Sequence, residues 1–175
     1  MTTQIFWISS GAKVKLGIMP RPRGSEQLGA EMQALREAGV DTVVSLLVEV
    51  EVRELELEEE PAECRKHGLD FRQFPVRDRQ TPSLDFDTLT FLKGLAQQLE
   101  QEQSVVIHCR MGVGRASLIA AATMVLCGTN PDEAFDVIRR ARGCDVPDTP
   151  EQREWVTRFA KSWRKLQPVD DLWLV

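Results

Sequence analysis

A chain of 175 residues is long enough for one domain with a sizeable core and short for two. Its 42% apolar and 28% charged content match an ordinary water-soluble chain, and no apolar run nears the ~20 residues of a membrane span. A formal charge of -5 argues against a general binder of nucleic acid or anionic membrane, while leaving room for a local basic patch.

The opening MTTQIFWISS has neither the basic region nor the long apolar stretch of a secretory signal, so a cytoplasmic protein is expected. Cys64, Cys109, Cys127 and Cys144 show neither metal-ligand spacing nor the density of a disulfide framework, which suits a reducing compartment. No metal and no cofactor are expected. Repeats, low-complexity tracts and heptads are absent.

In chain order, apolar pieces at 5–8 and 16–19 flank Gly11 and predict an opening hairpin or a pair of edge strands. Residues 20–24, PRPRG, break regular structure and put Arg21 and Arg23 on a connector that could border an anion pocket. Ser25 as N-cap, then Leu28, Met32, Leu35 and Ala38 at helical spacing with Gly39 as the stop, predict a helix. Val43, Val44, Leu46 and Leu47 predict a buried central strand.

The run 48–68 alternates Glu with apolar residues but carries helix formers, with Pro61 suited to a helix start and Gly68 to its end, so short helices are expected. Its acidic cluster, 49–60, reads as a solvated face and His67 as a surface residue. A strand follows at 69–76 and then a polar loop, RDRQTP, at 77–82. A helix at 84–99 has Asp85 and Asp87 at its start, where capping accounts for acids.

Residues 104–117, SVVIHCRMGVGRAS, carry the chemistry. A β-branched run feeds a loop holding Cys109, Gly112, Gly114 and Arg115, and an apolar helical pattern follows at once. The amides of such a loop converge on an anion at the helix N-terminus, with Arg110, Met111, Gly112, Val113, Gly114 and Arg115 lining the cradle. A cysteine at its mouth is expected to ionise more readily and act as a nucleophile, and the planar fork of Arg115 suits two oxygens of a phosphoryl group.

Release of an alcohol or phenol from phosphorus needs a proton, which a carboxylic acid on a mobile loop can deliver; Asp78 is the candidate, Asp85 and Asp87 its rivals. After Gly128, Pro131 opens a further helix to Arg142, and Thr149-Pro150 opens a last one whose Trp155, Phe159 and Trp163 form a packing stripe. The tail after Pro168 is expected to dock Leu172 or Trp173. Strands alternating with helices imply one α/β domain over 1–175, its mostly parallel twisted sheet of four to five strands flanked by helices.

His108, Cys109, five residues and Arg115 resemble the His-Cys-x5-Arg signature of the cysteine-dependent protein phosphatases, in particular the compact dual-specificity and tyrosine branch with small bacterial members. The resemblance covers most of the chain. It implies a metal-free, two-step hydrolysis through a phosphocysteine formed on Cys109. It also implies Asp78 as acid and then base, within the frame Pro75, Asp78, Pro82, with His108 holding the loop. The segment 143–152 resembles the one that places a water-orienting glutamine, here Gln152; an exposed first-turn glutamine is the plainer reading.

Ala116 departs from the family, which has there a hydroxyl residue that helps the thiolate leave; Ser117 comes one place late. The substrate class implied is a phosphorylated protein, phosphotyrosine foremost, or a small phosphomonoester, handled by a monomer without nucleic acid or membrane. Phosphoinositides are disfavoured by the apolar Val113. The alternatives are a catalytically weak or inactive phosphate-binding module and a thiol-dependent transferase or reductase.

Overall fold

A computed structural model describes residues 3–9 and 15–166. Five strands, β1 (Phe6–Ser9), β2 (Lys15–Pro20), β3 (Thr42–Ser45), β4 (Asp70–Gln73) and β5 (Val105–Cys109), form one sheet in the order β1-β2-β5-β3-β4. Only β1 runs antiparallel to its neighbour; β2, β5, β3 and β4 pair in parallel. This is the expected mostly parallel α/β architecture, and β1 and β2 pair antiparallel as an opening hairpin would. The alternative of two edge strands is corrected: β1 is an edge, whereas β2 lies inside the sheet against β5, with Leu16 and Ile18 buried.

Period-two alternation sorts the side chains of β5 onto the two faces. Val105, Ile107 and Cys109 join a core under α4 (Phe86–Glu100), α5 (Gly114–Leu126), α6 (Pro131–Arg142) and α7 (Pro150–Leu166), while Val106 joins Leu28, Met32, Leu35 and Cys64 on the opposite face. That second face is covered by α1 (Leu28–Glu37) and α3 (Glu60–Lys66). His108 alternates with Cys109 and so faces the α3 side, a parity that decides its partner.

α5 is buried along nearly its whole length, as its apolar composition predicts; each fully buried Leu, Ile or Met contributes about 1.5–3 kcal/mol. The short helices expected in the acidic run are α2 (Glu49–Glu54) and α3. Ser25 is not the cap of α1. It sits at φ 55 and opens a one-turn 3-10 segment to Gln27, its amide donating to the Glu56 carbonyl at 3.0 Å. His67 is half-buried and 3.5 Å from Glu63 rather than free on the surface. The expected hairpin apex at Gly11 and the tail beyond Pro168 lie outside the described residues.

Candidate active site

β5 ends at Cys109, which is 3% exposed at the carboxyl end of the sheet's central strand, and five residues later, at Gly114, the chain enters α5. Pro20 at the end of β2 pairs with Cys109, and the Arg21 amide donates to the Arg110 carbonyl at 3.3 Å, so the loop is pinned on one side. Gly112 turns at φ +64, and a Cβ there would run into the Met19 carbonyl and the Pro20 backbone. At Gly114 a Cβ would meet the carboxylate of the exposed Asp148, which would have to turn aside. Met111 is exposed on the rim, as is Arg110, whose guanidinium is 3.4 Å from Glu54.

Arg115 is 1% exposed, and its hydrogen bonds define the site. Nη1 donates to Glu51 Oε2 at 2.7 Å and to the Val76 carbonyl at 3.0 Å; Nη2 donates to Glu51 Oε1 at 2.9 Å and stands 3.1 Å from Asp78 Oδ1. A guanidinium has five N–H donors; three are engaged in hydrogen bonds with the described residues, and Asp78 adds an ion pair to Nη2. Burial opposes the Arg115 charge, but the Glu51 hydrogen bonds and the charge interactions with Cys109, Glu51 and Asp78 outweigh it and raise its pKa. For Glu51 burial likewise disfavours the ion. The Arg115 hydrogen bonds, the Val48 amide and the positive Arg115 and Arg110 prevail, holding the carboxyl below its ordinary range.

The reading of 49–60 as a solvated face therefore needs correcting at two positions. Glu51 and Glu60 are buried, whereas Glu49 and Glu54 are exposed. Two inward positions on α2 and α3 carry carboxylates because two cations or potential cations lie beneath them. Glu51 meets Arg115, and Glu60 Oε1 is 2.9 Å from Nε2 of the fully buried His108. The available signal was the need of a buried phosphate-loop arginine for a counter-ion; the acidic run held many indistinguishable candidates.

Asp78 is on the loop after β4, its side chain 62% exposed except where it reaches Arg115. Two groups from α7 hold this loop: Gln152 Nε2 donates to the Gln80 carbonyl at 3.3 Å and Trp155 Nε1 to the Pro82 carbonyl at 2.7 Å. Gln152 is buried rather than an exposed first-turn residue, because the Thr149 cap, accepting from its amide at 3.2 Å, starts α7 with this side chain facing inward. Its Oε1 accepts no hydrogen bond from the described residues. The rivals of Asp78 are accounted for at the start of α4, where Asp85 caps the Thr88 amide at 2.9 Å and Asp87 lies in the exposed first turn.

Ala116 is fully buried, and the neighbouring Ser117 hydroxyl is buried without a partner among the described residues. Cys64, on α3, is buried against Met32, with its thiol pushed up by desolvation. The described residues contain no group of three or more His, Cys, Asp or Glu able to hold a metal ion.

Comparison with known proteins gives this arrangement a family. The model of a family described as "Polymorphic toxin system, DSP-PTPase phosphatase" matches residues 17–129. Rat cyclin-dependent kinase inhibitor 3 is 27% identical over 97 residues, which are 54% of this chain and 45% of that protein. An Arabidopsis thaliana phosphatidylinositol 3,4,5-trisphosphate 3-phosphatase and protein-tyrosine-phosphatase is 31% identical over 98 residues, 54% of this chain and 23% of that protein. The chain thus spans less than half the length of these curated relatives. In structure it is similar to kinase associated phosphatase bearing a serine for its catalytic cysteine, with TM-score 0.79, 18% identity and coverage of 94% and 97% of the two chains. It is also similar to Tk-PTP in its active form, with TM-score 0.70, 25% identity and coverage of 90% and 96%.

Proposed function

This chain belongs to the DSP-PTPase phosphatase family of polymorphic toxin systems, and from that premise we propose that it hydrolyses phosphomonoesters through a phosphocysteine on Cys109. The observation that carries the proposal is the placement of Cys109 at the end of β5 and of the buried Arg115 in the first turn of α5, at the two ends of one short loop, with the loop carboxylate Asp78 3.1 Å from that guanidinium. Cys109 attacks phosphorus in line, and the loop amides with Arg115 take the charge on the equatorial oxygens. Asp78 leaves Arg115 to the phosphate oxygens, takes up a proton from solvent and gives that proton to the departing oxygen. In the second step water attacks the phosphocysteine and Asp78 accepts its proton. The unpaired buried Oε1 of Gln152 supports its assignment to hold that water. His108, braced by Glu60, fixes the loop from behind.

The working substrates are phosphotyrosine in proteins or small aryl phosphates, with phosphoserine and phosphothreonine also admitted. Inositol lipids, named for the plant relative, come second because Val113 puts no charge in the loop. A phosphate-binding module that does not turn over is the competing reading, favoured by the buried methyl at Ala116. Rapid-quench hydrolysis of p-nitrophenyl phosphate decides between them. The proposal requires turnover by the wild type, none by Cys109→Ser and a strong loss in Asp78→Ala. A wild type that binds phosphate analogues but releases no nitrophenol at any pH is a binding module.

A further inference from the structure

One basic side chain meets the phosphate loop from outside and has no part in the scheme above. Arg142 is the last residue of α6, and Gly143 beyond it adopts the left-handed conformation at φ 75 and ends the helix. Its Nε–H donates to the Gly112 carbonyl at 3.0 Å and its Nη2–H to the Met111 carbonyl at 3.2 Å. The guanidinium carbon lies 4.1 Å from the centroid of the Phe6 ring in β1, which packs against it.

A trans peptide unit is planar, and its C=O and N–H point in opposite directions. A Met111 carbonyl drawn outward to Arg142 therefore turns the Gly112 N–H away from Arg142, and an outward Gly112 carbonyl does the same for the Val113 N–H. Both amides belong to the stretch that cradles the anion. We infer that Arg142 is a positioning residue for phosphate, aiming the Gly112 and Val113 amides into the cradle and polarising them with its charge. The device suits this loop because Gly112, free of a Cβ, would otherwise let these peptide planes rotate. Lysine cannot replace it, since a single ammonium on a flexible stem does not span two carbonyls in one plane.

The inference rests on the phosphate-site reading. It is tested with orthovanadate and inorganic phosphate, whose binding can be titrated whether or not ester is hydrolysed. Arg142→Met should weaken vanadate binding and lower kcat/KM by about tenfold or more, the scale set by the ~10²–10³-fold cost of losing one oxyanion donor outright. Arg142→Lys, which keeps the charge and the stem packing, should recover only part of the loss. The pH profile of Cys109 alkylation should move upward in both variants, a change that loss of helix packing alone would not produce. Vanadate affinity equal to wild type in either folded variant overturns the inference and leaves the phosphate site intact. A wild type that binds neither anion overturns both.

Discussion

Replacing Glu51 by Gln tests whether the phosphate loop depends on a counter-ion held beneath it. Arg115 and Glu51 have side chains 1% and 8% exposed and share two hydrogen bonds at 2.7 and 2.9 Å. Removing one partner of such a buried pair costs about 3–5 kcal/mol, because the other charge is left uncompensated. Glutamine keeps one acceptor oxygen, and Arg115 retains the Val76 carbonyl and Asp78, so the lower end, about 3 kcal/mol, is expected. For a domain of this size that is a fall in Tm of about 6–12 °C. Urea and thermal unfolding at neutral pH measure it, and a loss below about 1 kcal/mol would refute the reasoning.

Acidity supplies a second readout. The folded Glu51 carboxyl titrates below its ordinary value of 4.5, so its contribution is fully present above that pH and disappears as pH falls through the folded pKa. Wild type and Glu51→Gln should therefore converge in stability on acidification below pH 4.5. A gap that widens there would contradict the sign. The double replacement Glu51→Leu with Arg115→Met should regain much of the stability and none of the activity.

Asp78 stands 3.1 Å from Arg115 Nη2 and would compete with an incoming anion for that guanidinium; with the Asp78 side chain 62% exposed, the pair is worth about 0.2–1 kcal/mol. Asp78→Asn should accordingly bind vanadate about 1.5- to 5-fold tighter while hydrolysing ester more slowly; unchanged or weaker vanadate binding would show that the pair does not compete with the anion. Gly112→Ala should abolish phosphate binding, since the new methyl meets backbone at Met19 and Pro20 and the φ is unfavourable; a folded variant titrating normally with phosphate would remove the steric argument. Trp155→Phe deletes the indole donor to Pro82, a cost of about 1 kcal/mol, and should lower kcat more than the Cys109 alkylation rate because it frees the loop of Asp78. Equal changes in both would place the effect on the whole domain.

The reactive loop was legible because its information is local: a β-branched run, glycines, a cysteine and an arginine within one short stretch dictate strand, turn and helix start. The sheet was legible in its alternation of elements but not in its order. Nothing local to Leu16 or Ile18 distinguishes an inner strand from a border, which depends on β5 arriving beside it. The supporting carboxylates were illegible for the same reason. Glu51 resembles Glu49 and Glu54 until α2 is laid over Arg115, and Glu60 is a helix-start acid until the parity of β5 turns His108 toward it. Gln152 was nominated through a resemblance, while its burial depends on the cap at Thr149 setting the phase of α7.

The position of β5 between β2 and β3 also has a consequence during synthesis. Leu16 of β2 pairs with Val105, about 90 residues later, so at ~5–20 residues per second the opening strands wait several seconds or more on the ribosome for their parallel neighbour. Through that interval Leu16, Ile18 and Met19, all buried in the finished sheet, lack their central strand. The nascent chain is therefore most open to aggregation or chaperone capture before the segment carrying its nucleophile has emerged.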